Sequence, residues 1–282
     1  MTLHERDSAQ WYTCPLFDAV GAEKYRLCHG YSTRFGGNST LPYLASMNFG
    51  FQLGEERGVT LSNYRTFSSL LGIPYEHLTA AQQTHTGLCM KVGRGDRMLG
   101  LRLPIEAPEP YRDGWDAFAC AETGVALSIR VADCVPILFW DPVHHVIGAA
   151  HAGWRGTYDR VAPNTVSAME ELGAKRQDIL VSIGISVGRC CYEVDEAFHE
   201  RFLSRYGSGF CEKIFDAAGE KYFCDLRLAN ELLLSDAGIL PSHIDRETLC
   251  TCCDPVRFHS HRAAQKRGGK RGLMAAMISM EE

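Results

Sequence analysis

The chain has 282 residues, with 29 basic against 34 acidic side chains and a net charge of −5. That balance disfavours a nucleic-acid binder that works by neutralising phosphates. Hydrophobic residues make up 45% and charged residues 22%, a globular composition that argues against disorder. No apolar run reaches the roughly 18 residues a membrane span needs.

The N-terminal stretch Met1 to Gln10 has no basic start and no apolar run, so it does not read as a secretory signal, and residues 1–12 are expected to be loose. The 12 cysteines are therefore expected to be reduced thiols or metal ligands in a cytoplasmic protein. Residues 58–71 carry Val59, Leu61, Tyr64, Phe67, Leu70 and Leu71 at helical spacing and close on Gly72 and Pro74. A short strand follows at Leu78–Ala81. The stretch from Gly93 to Gly114 reads as a long surface loop. Short apolar runs with turn residues at both ends then predict strands at Val125–Val131, Val135–Trp140, Val146–Ala150, Ile179–Ile185 and Leu273–Ile278. Helices are expected at 158–172, near 195–205, and at 226–237, where Asp225 offers an N-cap and Gly238 a stop. Residues 264–272, rich in Gly, Lys and Arg, read as loose. Strands follow one another without intervening helices, which predicts a mixed α/β (α+β) chain rather than a regular doubly wound sheet.

The chemistry concentrates where apolar runs give way to turns. Asp133 and Cys134 lie between two predicted strands, and His151 ends a third, ahead of Gly153-Trp-Arg-Gly156. If the 125–131 and 146–150 strands are neighbours in one sheet, Cys134 and His151 reach a common rim. His85, after the short strand at 78–81, is the third candidate. Two imidazoles and a thiolate suit zinc, and three protein ligands leave a fourth position open. A competing metal set is Cys250-Thr-Cys-Cys253, with Cys190, Cys191, His259 and His261 in reserve. Its spacing is not that of two zinc knuckles. Strand alternation would send Cys250 and Cys252 one way and Cys253 the other, so buried apolar packing is the favoured reading. Arg34 in a Gly-rich turn, Arg155 one turn beyond His151, and Arg262 are candidates for holding an oxyanion. Asn48 and Gln83 are candidates for hydrogen bonds to a ribose or base.

Taken together, several segments resemble the bacterial multicopper-polyphenol-oxidase-like, or laccase-domain, family, also described as zinc-dependent purine nucleoside phosphorylases. They are Ser32-Thr-Arg-Phe-Gly-Gly37, Ala45-Ser-Met-Asn-Phe-Gly50, Gln83-Thr-His85, Asp116-Ala-Phe118, Val131-Ala-Asp-Cys-Val-Pro136, His151-Ala-Gly-Trp-Arg-Gly156, Cys191-Tyr-Glu-Val194, Phe223-Cys-Asp-Leu226, Cys250-Thr251 and Phe258-His-Ser-His-Arg262. They keep the family's order over about residues 28–280. The pair Ala-Asp-Cys-Val-Pro and His-Ala-Gly-Trp-Arg-Gly is the most specific. The resemblance implies a single domain over 1–282 related to cysteine hydrolases and deamidating toxins, with mixed sheets flanked by helices. It implies zinc on His85, Cys134 and His151 as the catalytic centre. It also implies phosphorolysis of adenosine, inosine, guanosine or methylthioadenosine to base and pentose 1-phosphate, with adenosine deamination as a further activity.

The chain departs from the family pattern in Thr86, which separates His85 from Gly87, in Ile185, and in His261 where a Tyr is usual; none of these removes a proposed ligand. Other readings remain: a metal-free Cys–His hydrolase of amides such as cell-wall peptides, and a non-enzymatic zinc-stabilised domain. A multicopper oxidase is disfavoured by 11 histidines with no paired set near the trio. Purine nucleosides and phosphate are the expected partners, with no nucleic acid and no membrane. Oligomeric state stays open, a monomer being the simplest case.

Overall fold

In the computed structural model, which describes residues 1–51, 53–102, 109, 111 and 113–282, the chain opens with an ordered hairpin. β1 (Thr2–Arg6) pairs antiparallel with β2 (Ala9–Thr13), correcting the expectation of a loose N-terminus. Ala9 and Tyr12, on opposite faces of β2, are both buried, and their packing orders the segment. α1 (Pro15–Val20) and β3 (Leu27–Ser32) follow, then α2 (Arg57–Leu70), one residue from its predicted start. β4 (Leu78–Ala80), β5 (Cys89–Lys91) and β6 (Ala117–Cys120) lead to the central run of β7 (Val125–Val131), β8 (Val135–Asp141) and β9 (Val146–Ala152).

A short α3 (Trp154–Tyr158) begins just after β9, where the sequence reading gave a Gly-Trp-Arg-Gly turn, and α4 (Val161–Glu171) follows, within the helix expected at 158–172. The remainder is β10 (Leu180–Ile183), β11 (Glu193–Val194), α5 (Glu196–Tyr206), α6 (Ser208–Ile214), β12 (Phe215–Ala218), β13 (Lys221–Cys224), α7 (Leu226–Asp236), β14 (Ile244–Arg246), α8 (His261–Lys266) and β15 (Met274–Met280). Asp195 caps α5 by accepting from Phe198 N at 2.9 Å, and Asp225 caps α7 by accepting from Leu228 N at 3.0 Å.

Two six-stranded mixed sheets form the body, in the orders β1-β2-β3-β15-β7-β4 and β14-β10-β8-β9-β6-β5. They pack face to face. α2 covers the outer face of the first, and α4 with α7 the outer face of the second. Strand alternation shows why both faces read as apolar. Leu138 and Trp140 of β8 join the core between the sheets, whereas Val135, Ile137 and Phe139 join the core under the helices. On β7, Leu127 and Ile129 point between the sheets and Ala126 toward the α2 side. Tyr31 of β3 ties the sheets together by donating its hydroxyl to Ser182 Oγ of β10 at 2.8 Å. Gly184 leaves room for that ring, since a Cβ there would lie 2.2 Å from Tyr31 Cε1.

Two loop expectations change. Within 93–114, Arg94–Asp96 forms a 3-10 turn, and Met98 and Leu101 are buried against the α2 core, so this part is not a surface loop. Residues 103–108, 110 and 112 of that stretch lie outside the described residues. Within 264–272, α8 runs through Lys266.

Candidate metal centre

The crossing from one sheet to the other builds the site. β7 belongs to the first sheet and β8 to the second, so the predicted pairing of 125–131 with 146–150 does not occur. The chain passes between them through Ala132, Asp133 and Cys134. The pairing that brings Cys134 to His151 is instead that of β8 with β9, where Val135 faces Ala152 and Pro136 faces His151. Asp133 makes the turn with a left-handed φ of 86°, a conformation that costs a non-glycine residue energy and must be held by its surroundings. Its side chain supplies the hold. Oδ1 accepts from Thr251 Oγ1 at 2.6 Å, and Oδ2 accepts from Arg262 N at 2.6 Å, at the start of α8.

His85 arrives from a different part of the chain. It too is left-handed, at φ 67°. The fully buried carboxylate of Asp116, just ahead of β6, clamps its turn by accepting from Thr84 N at 3.1 Å, His85 N at 3.1 Å and Thr86 N at 2.6 Å. The same carboxylate accepts from His151 Nδ1 at 2.7 Å, leaving the other ring nitrogen of His151 to face Cys134 and His85. Burial works against ionising Asp116, but His151 and the Thr86 N–H hold its carboxyl below the usual range. Reasoning from sequence quoted Asp116 only within the Asp116-Ala-Phe118 segment of the resemblance and gave it no role at the site.

One ligating atom from each of His85, Cys134 and His151 lies within 4.8 Å of the other two. The His85 and His151 rings meet edge to face, with centroids 5.0 Å apart. Burial alone would raise the Cys134 thiol, but His151 and His85 pull it down to about 6. Burial likewise opposes the charge on His151, yet Cys134 and Asp116 raise it to about 9. A thiolate facing imidazoles is the donor set zinc takes. Gly153 lies against it: a Cβ there would come 2.9 Å from His85 Cδ2 and 3.0 Å from Cys134 Sγ.

His85 and Cys134, with His151 buried behind them, open on a cleft of about 410 Å³ whose other walls include Asp133, Trp154, Arg155, Tyr192, His261, Arg262 and Gln265. A second hollow of about 580 Å³ adjoins it, sharing Trp154, Tyr192 and Arg262. Both volumes fall in the range of small-molecule sites, about 300–1,000 Å³. The Arg155 guanidinium stacks over Trp154 at 4.3 Å and that of Arg262 over Tyr192 at 4.9 Å.

Three predicted substrate contacts do not line this cleft, and their side chains are engaged within the chain. Arg34 donates to the carbonyls of Ala45, Pro42 and Pro255. Asn48 is fully buried, donating to Gly50 O and Glu55 and accepting from Gly50 N and Leu273 N. Gln83 pairs with the backbone of Arg130, Nε2 donating to its carbonyl and Oε1 accepting from its N–H. Each sits in a turn whose hydrogen bonds the backbone alone does not satisfy.

The family model described as multi-copper polyphenol oxidoreductase laccase matches residues 28–281. A purine nucleoside phosphorylase, YlmD of Geobacillus stearothermophilus, is 32% identical over 99% of this chain and 98% of its own length. The crystal structure of YlmD from that organism superposes with a TM-score of 0.83 at 30% identity, covering 99% of this chain and 98% of that one. An adenosine deaminase, RL5, from an unknown prokaryotic organism is 29% identical over 77% of this chain and 82% of its own length. The chain therefore belongs to the laccase-domain family.

Proposed function

We propose that this member of the laccase-domain family is a zinc-dependent purine nucleoside phosphorylase over its full 282 residues, cleaving adenosine, inosine, guanosine or methylthioadenosine, with adenosine deamination as a second activity. The observation that carries the reading is the convergence of His85, Cys134 and His151 at the foot of a cleft that also presents Arg155 and Arg262. The names of the relatives support the same reading.

A zinc ion on this trio would supply Lewis acidity at its open fourth position. Asp116 holds His151 in the tautomer that turns a lone pair toward the centre. Arg155 and Arg262 hold phosphate oxygens and present one of them to C1′ of the sugar. As that oxygen bonds to C1′, the bond from C1′ to the purine nitrogen breaks. The base leaves with the electron pair and takes a proton. His261 and Gln265 reach the cleft from α8 and offer hydrogen bonds to orient base or sugar. The stacked Arg155 on Trp154 and Arg262 on Tyr192 keep the guanidiniums preorganised at low entropic cost. The zinc, the nucleoside specificity, the cytoplasmic location and the roles of these residues all belong to this proposal.

The relay from Asp116 through His151 to Cys134 favours one other reading, a metal-free cysteine hydrolase of the related fold, with Cys134 as nucleophile. His85 weighs against it, because a thiol–imidazole–carboxylate relay needs no second imidazole on the sulfur.

The deciding experiment is chromatography of adenosine and inosine incubated with metal-analysed protein, with and without phosphate, beside Cys134→Ser. The expected result is phosphate-dependent release of adenine and hypoxanthine, with inosine formed from adenosine by deamination. Both zinc occupancy and turnover fall in the variant. Unchanged nucleosides overturn the reading, and amide cleavage that survives chelation but not thiol alkylation puts the hydrolase in its place.

A further inference from the structure

A second thiol cluster lies beside the cleft and takes no part in the chemistry above. Cys190 and Cys191 occupy the 3-10 turn Arg189–Cys191, and Cys250 and Cys253 bound a tight turn. Expected strand alternation would have parted Cys250 from Cys253. Instead, only Cys250 makes a β contact, an isolated bridge to Ser186, and residues 251–253 turn back. Buried apolar packing does not describe the group either: Cys250 is buried, but Cys190 and Cys253 are exposed.

The four sulfurs lie within 4.8 Å of one another. Cys253 Sγ is 3.5 Å from Cys190 Sγ and equally 3.5 Å from Cys191 Sγ. A disulfide would draw one pair to about 2.05 Å and leave the other behind. A tetrahedral ion with bonds to sulfur of about 2.3 Å sets all the sulfurs apart by about 3.8 Å, close to this spacing. The backbone also donates to the cluster. Gly188 N donates to Cys250 Sγ at 3.1 Å, the kind of hydrogen bond that orients a ligating thiolate. A Cβ on Gly188 would lie 3.2 Å from both Cys190 Sγ and Cys250 Cβ, so the backbone passes close to the cluster.

We propose that Cys190, Cys191, Cys250 and Cys253 form a closed structural zinc site, separate from the open centre at His85, Cys134 and His151. Four soft thiolates select a thiophilic tetrahedral cation and leave no position for substrate. The site staples two walls of the cleft. Val187 and Tyr192 flank the first cysteine pair and line the cleft. Thr251, between the second pair, donates to Asp133 at the sheet crossing. Zinc in the cluster thus braces the turn that aims Cys134.

Cobalt(II) titration of the Cys134→Ser chain under anaerobic, reducing conditions tests this, because the first site then contains no thiolate. The expected result is thiolate-to-cobalt charge-transfer absorption with intense tetrahedral visible bands, saturating at one ion per chain and displaced by zinc. Adding Cys190→Ser and Cys253→Ser should abolish the bands. The unsubstituted chain should hold two zinc ions, and the Cys190→Ser/Cys253→Ser chain with His85, Cys134 and His151 intact should hold one. Absence of thiolate bands from Cys134→Ser, unchanged zinc content in the doubly substituted chain, or a disulfide among these cysteines by mass spectrometry of reduced-purified protein each overturns the site. The two proposals fail separately. One zinc lost only with Cys134 removes the second site alone, whereas two zinc ions without phosphate-dependent cleavage remove the proposed reaction alone.

Discussion

Asp116 lies inside the protein with no exposed surface, where an unpaired carboxylate would be expensive, and every bond that compensates it serves the candidate centre. One oxygen accepts from His151 Nδ1 and His85 N, the other from Thr84 N, Thr86 N and Thr86 Oγ1. It therefore sets the tautomer of one candidate ligand and the left-handed turn of another. Asp116→Asn replaces an acceptor with a donor facing N–H groups, so the turn and the imidazole cannot both be satisfied. Zinc affinity measured by competition with a chromogenic chelator is expected to fall by about 10–100-fold, in line with loss of a carboxylate that orients a ligating histidine. Unchanged affinity would mean the clamp is dispensable. At this scale His85, Cys134 and His151 were singled out as candidate ligands by residue type at strand ends and then by the family resemblance, and the structure brings the three together. Asp116 was not: a carboxylate before an apolar run looks the same whether it caps a turn or supports a metal ligand. Arg34, Asn48 and Gln83 show the converse, polar side chains in turns whose partners turned out to be the backbone.

Among elements, the crossing between β7 and β8 matters most. The sequence reading brought Cys134 and His151 to one rim on the condition that β7 neighbours β9, but it is β8 that pairs with β9. The outcome for Cys134 and His151 is similar for a different reason, since a hairpin of adjacent strands brings its open ends together. What sequence alone could not show is that Asp133 then reaches both α8 and the Cys250–Cys253 turn. Asp133 is 6% exposed, so removing its carboxylate leaves Arg262 N and the Thr251 hydroxyl without acceptors. Asp133→Ala is expected to lower stability by about 2–4 kcal/mol from two hydrogen bonds to a charged group. It should also raise the KM for phosphate more than it lowers kcat, because α8 carries Arg262. Chemical denaturation together with phosphate-dependent kinetics checks both, and an unaltered KM would mean that α8 does not depend on this anchor.

For the molecule as a whole, helix–sheet–sheet–helix layering buries both faces of the central strands. The apolar runs were therefore readable as strands, but their lack of alternation gave no sign of which sheet each belongs to. Tyr31 joins the sheets through its bond to Ser182 Oγ and is 2% exposed. Tyr31→Phe keeps the ring and leaves the serine hydroxyl without that partner. A loss of about 1–3 kcal/mol in unfolding free energy is expected, with the centre intact, so zinc content should not change. A loss of zinc along with stability would show that sheet packing and the centre are coupled. No helix among the described residues is long and apolar enough to cross a membrane.

What the sequence determined by itself was what local chemistry can carry. It set the class of fold, most strands and helices of the central and C-terminal regions, the cap at Asp225, and three soft and borderline donors as candidates for one site. Apolar periodicity, capping groups and ligand types act over a few residues. Tertiary structure decided the rest. It ordered the N-terminal hairpin through Ala9 and Tyr12, assigned β7 and β8 to different sheets, recruited Asp116 as the clamp, and drew Cys190, Cys191, Cys250 and Cys253 into one cluster. Those outcomes depend on contacts between residues tens of positions apart, and their energies exist only once the chain has folded around them.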